Sequence, residues 1–420
     1  MTDKAEGAKA VRVDRAWPLY GAAFAMALSL SICWTAMPFV LQALGGTEAH
    51  VGYAPAANSL GYMAALLLTG SFLGHLNVKR ATRAATLLAV VATSAMVLAV
   101  FGVKGGPGVA HTVRIWTMIA AGGMGGAAMA LYWPFLMSWV SANYEGVELN
   151  RRFGRYNGSW SGGALIGPVI GGWLVGADPL YPMVAGVGCL VVSFVLLGFA
   201  RNHGEESVSA NGPENGAGEE VPGVRLLGGY RWMSRVALFC AWASHAIARS
   251  QFALLFTGFG YSEPQFGIFL TIFAVCNFLA LVGAGRWAFW HFRLGPLIVA
   301  QAALAVALLM IVYGRTLAVF YPAAVILGLG FGFVYSSHLF YGASTSRKRS
   351  VSMAVHEIVI SVGITVGAAT GGVLARHVGS YAPYWFAIGT VGVGGVTQAV
   401  IYLVLRSGPL IRGRQRRREE

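Results

Sequence analysis

The chain has 420 residues, 56% of them hydrophobic and 11% charged, where a soluble domain carries roughly a quarter charged. That balance excludes a soluble globule, and 57 glycines strengthen the membrane signature because glycine lets transmembrane helices approach closely. The formal net charge of +14 is therefore a question of membrane topology before it is one of nucleic-acid binding.

Taken in order, a polar stretch of sixteen residues leads into an apolar run from Trp17 to Leu44. This run is too long for a signal-peptide core and lacks a small-residue cleavage site, so the N-terminus is expected to be retained. Eleven further runs of roughly the 20 residues needed to cross a bilayer follow. They are Val51 to Leu73, Ala84 to Val103, Val113 to Val140, Gly158 to Val175 and Leu180 to Phe199, then Val236 to Phe259, Phe266 to Gly285, Leu297 to Val312, Leu317 to Tyr341, Val351 to Leu374 and Pro383 to Leu405. Cys33, Cys189, Cys240 and Cys276 fall inside these runs without metal-ligand spacing and read as small buried hydrophobes.

If the N-terminus is cytoplasmic, all but five of the 30 basic residues fall on the cytoplasmic side. Lys104, Arg114, Arg315 and Arg376 lie outside, and Arg249 lies within a span. The positive-inside rule thus predicts both termini in the cytoplasm and explains the charge without a nucleic-acid partner. The basic tail from Arg412 to Arg418 can also touch anionic lipid, although topology suffices to explain it. The longest polar break contains EESVSANGPENGAGEE and reads as a flexible linker. The expected organisation is a six-helix bundle over residues 1–203, a cytoplasmic linker over 204–229 and a second six-helix bundle with the basic tail over 230–420.

A repeat appears at an offset of 200 residues. The fifth run contains Gly163, Gly167, Pro168, Gly171 and Gly172, and the eleventh contains Gly363, Gly367, Gly371 and Gly372. Equal spacing in matching helices favours two homologous bundles about a shared axis. Chance small-xxx-small patterning is the alternative.

On these residues the chain resembles the major facilitator superfamily of secondary transporters over essentially its whole length. The fifth-run glycines with Pro168 match that superfamily's antiporter motif. Gly70 to Arg80 is similar to its cytoplasmic loop motif, with Gly74 standing where an acid is usual. The resemblance implies an all-α polytopic fold of 12 transmembrane helices in two pseudo-symmetric bundles, which rock about a central substrate site.

Ionisable residues inside a span are functional candidates because burying charge in lipid is costly. Arg249, with His245 one turn earlier on the same face, offers a forked donor set suited to a carboxylate or phosphate. It is read either as a substrate contact or as an arginine held by helix carbonyls or Glu263, or snorkelling outward. Glu357 follows His356 and corresponds to Asn157 at the repeat offset. A carboxyl held away from water can bind and release a proton during transport, while pairing with Arg151, Arg155 or Arg347 as a gate latch is the alternative. The resemblance makes spans one, four, seven and ten line the cavity. Trp34, Trp133 and His338 therefore join Arg249 as substrate candidates, with Asn58 and more weakly Tyr132, Asn277 and Tyr335. Packing, or interhelical hydrogen bonding for the asparagines, is the competing reading for each.

The sequence contains no phosphate-binding loop, zinc motif or nucleophile elbow, so neither an enzyme nor a cofactor is expected. The resulting expectation is a monomeric transporter of the bacterial inner membrane. It moves a small, possibly anionic organic solute by alternating access coupled to protons, with export or antiport favoured over import. A transporter-like receptor or assembly factor is the alternative.

Overall fold

Backbone polar groups within a hydrocarbon layer must satisfy one another, and for separate apolar runs the helix is the solution. The computed structural model describes residues 16–69, 76–101, 109–141, 146–200, 224–343 and 349–407, and within them the chain forms twelve helices and no strand. They are α1 (Trp17–Ala43), α2 (Glu48–Thr69), α3 (Val78–Val100), α4 (Val109–Ser141), α5 (Gly146–Ala177) and α6 (Tyr181–Phe199), followed by α7 (Val224–Gly258), α8 (Glu263–Arg286), α9 (Leu294–Tyr313), α10 (Leu317–Ala343), α11 (Arg349–His377) and α12 (Ala382–Arg406). Residues Gly70 to His75 of the expected loop motif, most of the expected linker and the basic tail lie outside the described residues.

Ten of these helices are long and apolar enough to cross a membrane; α2 and α7 fall short on hydropathy. Their polar residues, among them Glu48, His50 and Asn58 in α2 and His245 and Arg249 in α7, are tolerable because protein shields both helices. α2 packs on α4, α11 and α7, and α7 packs on α11, α12 and α10. Helix bounds differ most from expectation at two places. α5 begins at Gly146 rather than Gly158, and α7 at Val224 rather than Val236, so residues 224–229 are helical rather than linker. Hydropathy marks only the lipid-embedded part of a helix, whereas the backbone ladder continues into the polar segment beyond it.

The two halves repeat each other in packing. In the first, α1 packs on α5 and α6, α2 on α4, and α3 on α4 and α6; in the second, α7 packs on α11 and α12, α8 on α10, and α9 on α10 and α12. The glycine motifs are the hinges of this pattern. A Cβ on Gly163 would sit 2.5 Å from the Phe24 carbonyl of α1, one on Gly167 would collide with Ser31, and one on Gly171 would sit 2.7 Å from the Ile32 carbonyl. Gly363, Gly367 and Gly371 meet α7 in the same way, at Trp242, Ala243 and Ile247. The fourth glycine of each motif turns to the opposite half: Gly172 faces Glu263 and Gly267 of α8, and Gly372 faces Glu48 and Gly52 of α2.

Two more symmetric pairs emerge. Asn58 on α2 donates to the Gly122 carbonyl of α4 at 2.9 Å, and Asn277 on α8 packs against Gly328 and Gly332 of α10. Cys33 on α1 points its sulfur at the Pro182 carbonyl of α6, as Cys240 on α7 does at Thr390 of α12. Cys33 and Cys240 are buried as expected, but Cys189 and Cys276 are only half-buried, on helix faces nearer the lipid. Replacing Asn58 by alanine removes one interhelical bond and should cost about 1 kcal/mol, the scale of such bonds in membrane bundles. A lower unfolding temperature in detergent, with no loss of helicity, is the expected readout.

Candidate functional site

The halves meet mainly through α2 with α11 and α5 with α8, with α1 and α2 also touching α7. On the face away from the termini, Glu48 pairs with Arg376 at 3.8 Å, and a Cβ on Gly52 would collide with the Ala368 carbonyl. Further inward, the Ser59 hydroxyl donates to the Ser361 carbonyl at 3.0 Å. The other seam matches: a Cβ on Gly267 would lie 2.5 Å from the Pro168 carbonyl, and the Thr271 hydroxyl donates to the Leu165 carbonyl at 3.4 Å. Towards the termini, α4 shares no comparable packing with α10 or α11, nor α5 with α10, among the described residues. Among the described residues the molecule is closed on the far face and parted towards the termini.

Where the α2–α11 seam reaches the parted side, Glu357 forms a side-chain hydrogen bond with Tyr62 of the opposite half. Of the expected arginine partners, Arg151 pairs with Glu148 at 3.4 Å and Arg347 lies outside the described residues. Tyr156 of α5 and Tyr335 of α10 lie within electrostatic reach of Tyr62. Next to Glu357, His356 faces His338 of α10, their Nδ1 atoms 2.8 Å apart, and both rings are 2% exposed. A contact that short requires a hydrogen on one nitrogen and a lone pair on the other, so the facing atoms share one proton. The His356 ring also meets Tyr335 edge-on at 5.0 Å.

Arg249 lies on α7 three residues after Ala246, hence on nearly the same face. Ala246 packs with Ala56 of α2 and Ala368 of α11, which places the guanidinium at the level where the halves meet. Its Nε is shielded from solvent and has no hydrogen-bond partner among the described residues. His245 is turned into the second half instead, stacked on Phe273 at 4.6 Å and flanked by Phe331 and Trp242.

The remaining candidates do not converge on Arg249. Trp34 lies against Gly122, and together with Asn58 it lines a cavity of about 30 Å³, room for a water rather than a solute. Trp133 packs edge-on to Tyr132 at 5.1 Å and Trp160 at 6.5 Å. Asn157 is exposed and accepts from the Trp160 indole at 3.0 Å. Sequence reasoning missed Tyr62, Tyr156 and the Glu48–Arg376 pair. One signal was present: Glu-x-x-x-Gly opens both α2, as Glu48 and Gly52, and α8, as Glu263 and Gly267.

These paired seams repeat in two halves of matching packing. A family model described as the Major Facilitator Superfamily matches residues 19–348. The chain belongs to the Major Facilitator Superfamily. Among solved structures, the nucleoside transporter NupG is similar over 93% of this chain and 99% of its own, at 12% identity and a TM-score of 0.68. A bacterial homologue of the human lysosomal transporter Spinster, in an inward-facing and unoccupied conformation, is similar over 92% of this chain and 95% of its own, at 12% identity and a TM-score of 0.66. At such identities the likeness is one of fold. No curated protein matches the chain. This facilitator is thus a multi-pass membrane protein of the secondary-transporter family, and its α11, which lies beyond the matched residues, still repeats the packing of α5.

Proposed function

We propose that the protein carries a small organic anion by alternating access, coupled to proton movement, with export or antiport as the favoured direction. The observation that carries this reading is Arg249. A guanidinium whose Nε is shielded from water without a partner among the described residues is costly, and a substrate carboxylate or phosphate at the junction of the halves would offset that cost with bidentate hydrogen bonds. His245 acts as a positioning residue, wedging its turn of α7 against the aromatic rings of the second half. Trp34, Trp133 and His338 sit within the bundles around the site, and in this state only a rearrangement would bring them to a solute.

Proton coupling is supported by the Tyr62–Glu357 bond, because it joins the halves and involves a carboxyl. An ionised carboxylate is a strong acceptor for the tyrosine hydroxyl, and protonation weakens that acceptance. The fifth-helix motif favours export or antiport. The bias of basic residues supports cytoplasmic termini in a bacterial inner membrane, in which case the parted face opens inward.

The test is a thermal-shift screen of the purified protein against organic anions, nucleosides, sugars and hydrophobic cations. An anion at about 100 times its Kd should stabilise the folded state by about 2.7 kcal/mol, and Arg249→Ala should remove the shift while leaving the protein folded. Stabilisation by hydrophobic cations alone, or an anion shift that survives Arg249→Ala, removes Arg249 from the site.

A further inference from the structure

We infer that the cleft between the start of α3 and the end of α6 binds the headgroup of an anionic phospholipid. A cavity of about 460 Å³ opens there, within the roughly 300–1,000 Å³ range of small-molecule sites. Its lining changes character along α3. Asn77, Lys79, Arg80 and Arg83 form the outer part, and Leu87 with Phe194 of α6 form the part nearer the bilayer centre. From Asn77 to Leu87 is about 15 Å of helix, the direction in which a lipid passes from phosphate to acyl chain.

The cationic end is uncompensated. No carboxylate among the described residues pairs with Lys79, Arg80 or Arg83. The first turn of α3 contains no acid, so the positive end of the helix dipole adds to the three side chains. Lys79 is already committed, donating to the Gly198 and Ala200 carbonyls at 3.0 and 2.6 Å and so tying down the end of α6. The Arg83 guanidinium lies over the Phe194 ring at 4.5 Å, and its Nε is shielded from solvent with no hydrogen-bond partner among the described residues. The cation–π contact holds the guanidinium beside the ring, and its remaining donors can meet a phosphate. Arg80 is exposed at the mouth.

The apolar end faces outward. Leu87 is 52% exposed, and Val191 and Val195 on α6 are also exposed. A free phosphate would use the cations and leave this wall uncovered, whereas an anionic lipid satisfies both, which is why the lipid is the assigned occupant.

The experiment uses the full chain in vesicles of phosphatidylcholine and of an equal mixture with phosphatidylglycerol, with thermal unfolding as readout. The variant is Arg80→Gln with Arg83→Gln, leaving Lys79 to hold α6, and Arg406→Gln on α12 is the control. Phosphatidylglycerol should raise the unfolding temperature of the wild type and the control. The double variant should match the wild type in phosphatidylcholine and lose at least half of the increment. Inorganic phosphate should move none of them. An undiminished increment in the double variant, no increment in the wild type, or an equal increment from inorganic phosphate each overturns the assignment. If the double variant does not fold, Arg80→Gln alone is read by native mass spectrometry. Fewer retained phosphatidylglycerol molecules than in the wild type support the site, and an equal number overturns it.

Discussion

Replacing Gly52 by leucine is expected to abolish transport without unfolding either half. Gly52 lies where α2 crosses α11, and even a Cβ there would collide with the Ala368 carbonyl and lie 2.9 Å from the Gly372 Cα. These are backbone atoms, which cannot rotate away. The contact joins the two halves rather than the helices of one half, so the cheapest response is for the halves to part at the far face. Such a protein is held out of the closed-far state and cannot complete a cycle. Ser361→Cys provides the readout, since Ser361 is buried in this state. A membrane-impermeant maleimide applied from the far face should label that cysteine strongly in the Gly52→Leu background and weakly without it. Gly367→Leu provides the contrast. Gly367 meets Ala243 inside the second half, so its leucine variant should lower the yield of folded protein. Transport at the wild-type rate in Gly52→Leu would rule out a closing role for the seam.

Glu357→Gln is expected to separate solute movement from the proton gradient. The amide keeps the shape and still accepts from Tyr62, but it cannot bind or release a proton. Solute flux driven by an imposed pH gradient should fall by about tenfold or more, which corresponds to about 1.4 kcal/mol of lost coupling. Exchange of labelled for unlabelled solute, which needs no net proton movement, should persist. Tyr62→Phe leaves the carboxyl able to titrate and removes only its link to the other half, so it should shift the pH at which gradient-driven flux is half-maximal while retaining coupling. An unchanged pH profile in Glu357→Gln sinks the proton role.

Much of this architecture was legible in the residues. The apolar runs between polar breaks gave the succession of helices, because the cost of an unpaired backbone in hydrocarbon leaves few choices. The four-glycine repeat gave the two homologous halves, and the reason is visible in Gly163 and Gly363, where the helix backbones approach too closely for any side chain. The candidate site was legible only in part. Arg249 and Glu357 stood out as charges within spans, but a sequence does not state which helix a side chain faces. His245 shares a face with Arg249 in a helical projection, yet its ring lies among Phe273, Phe331 and Trp242. Tyr62 carried no warning, since a tyrosine in an apolar run has many packing roles, and only its placement opposite Glu357 distinguishes it.

The sequence by itself determined the helical, membrane-spanning class, the repeat, the membership suggested by its motifs and the identity of the charges that lie within spans. Each follows from local chemistry: the transfer cost of apolar and charged side chains, and the absent side chain of glycine. Tertiary structure decided which face is closed among the described residues, that Glu357 bonds across to Tyr62, that His338 and His356 form a pair, and that Lys79, Arg80 and Arg83 open onto an apolar wall. Each of these depends on residues far apart in the chain being brought within a few ångströms, and that juxtaposition is set by how the helices pack.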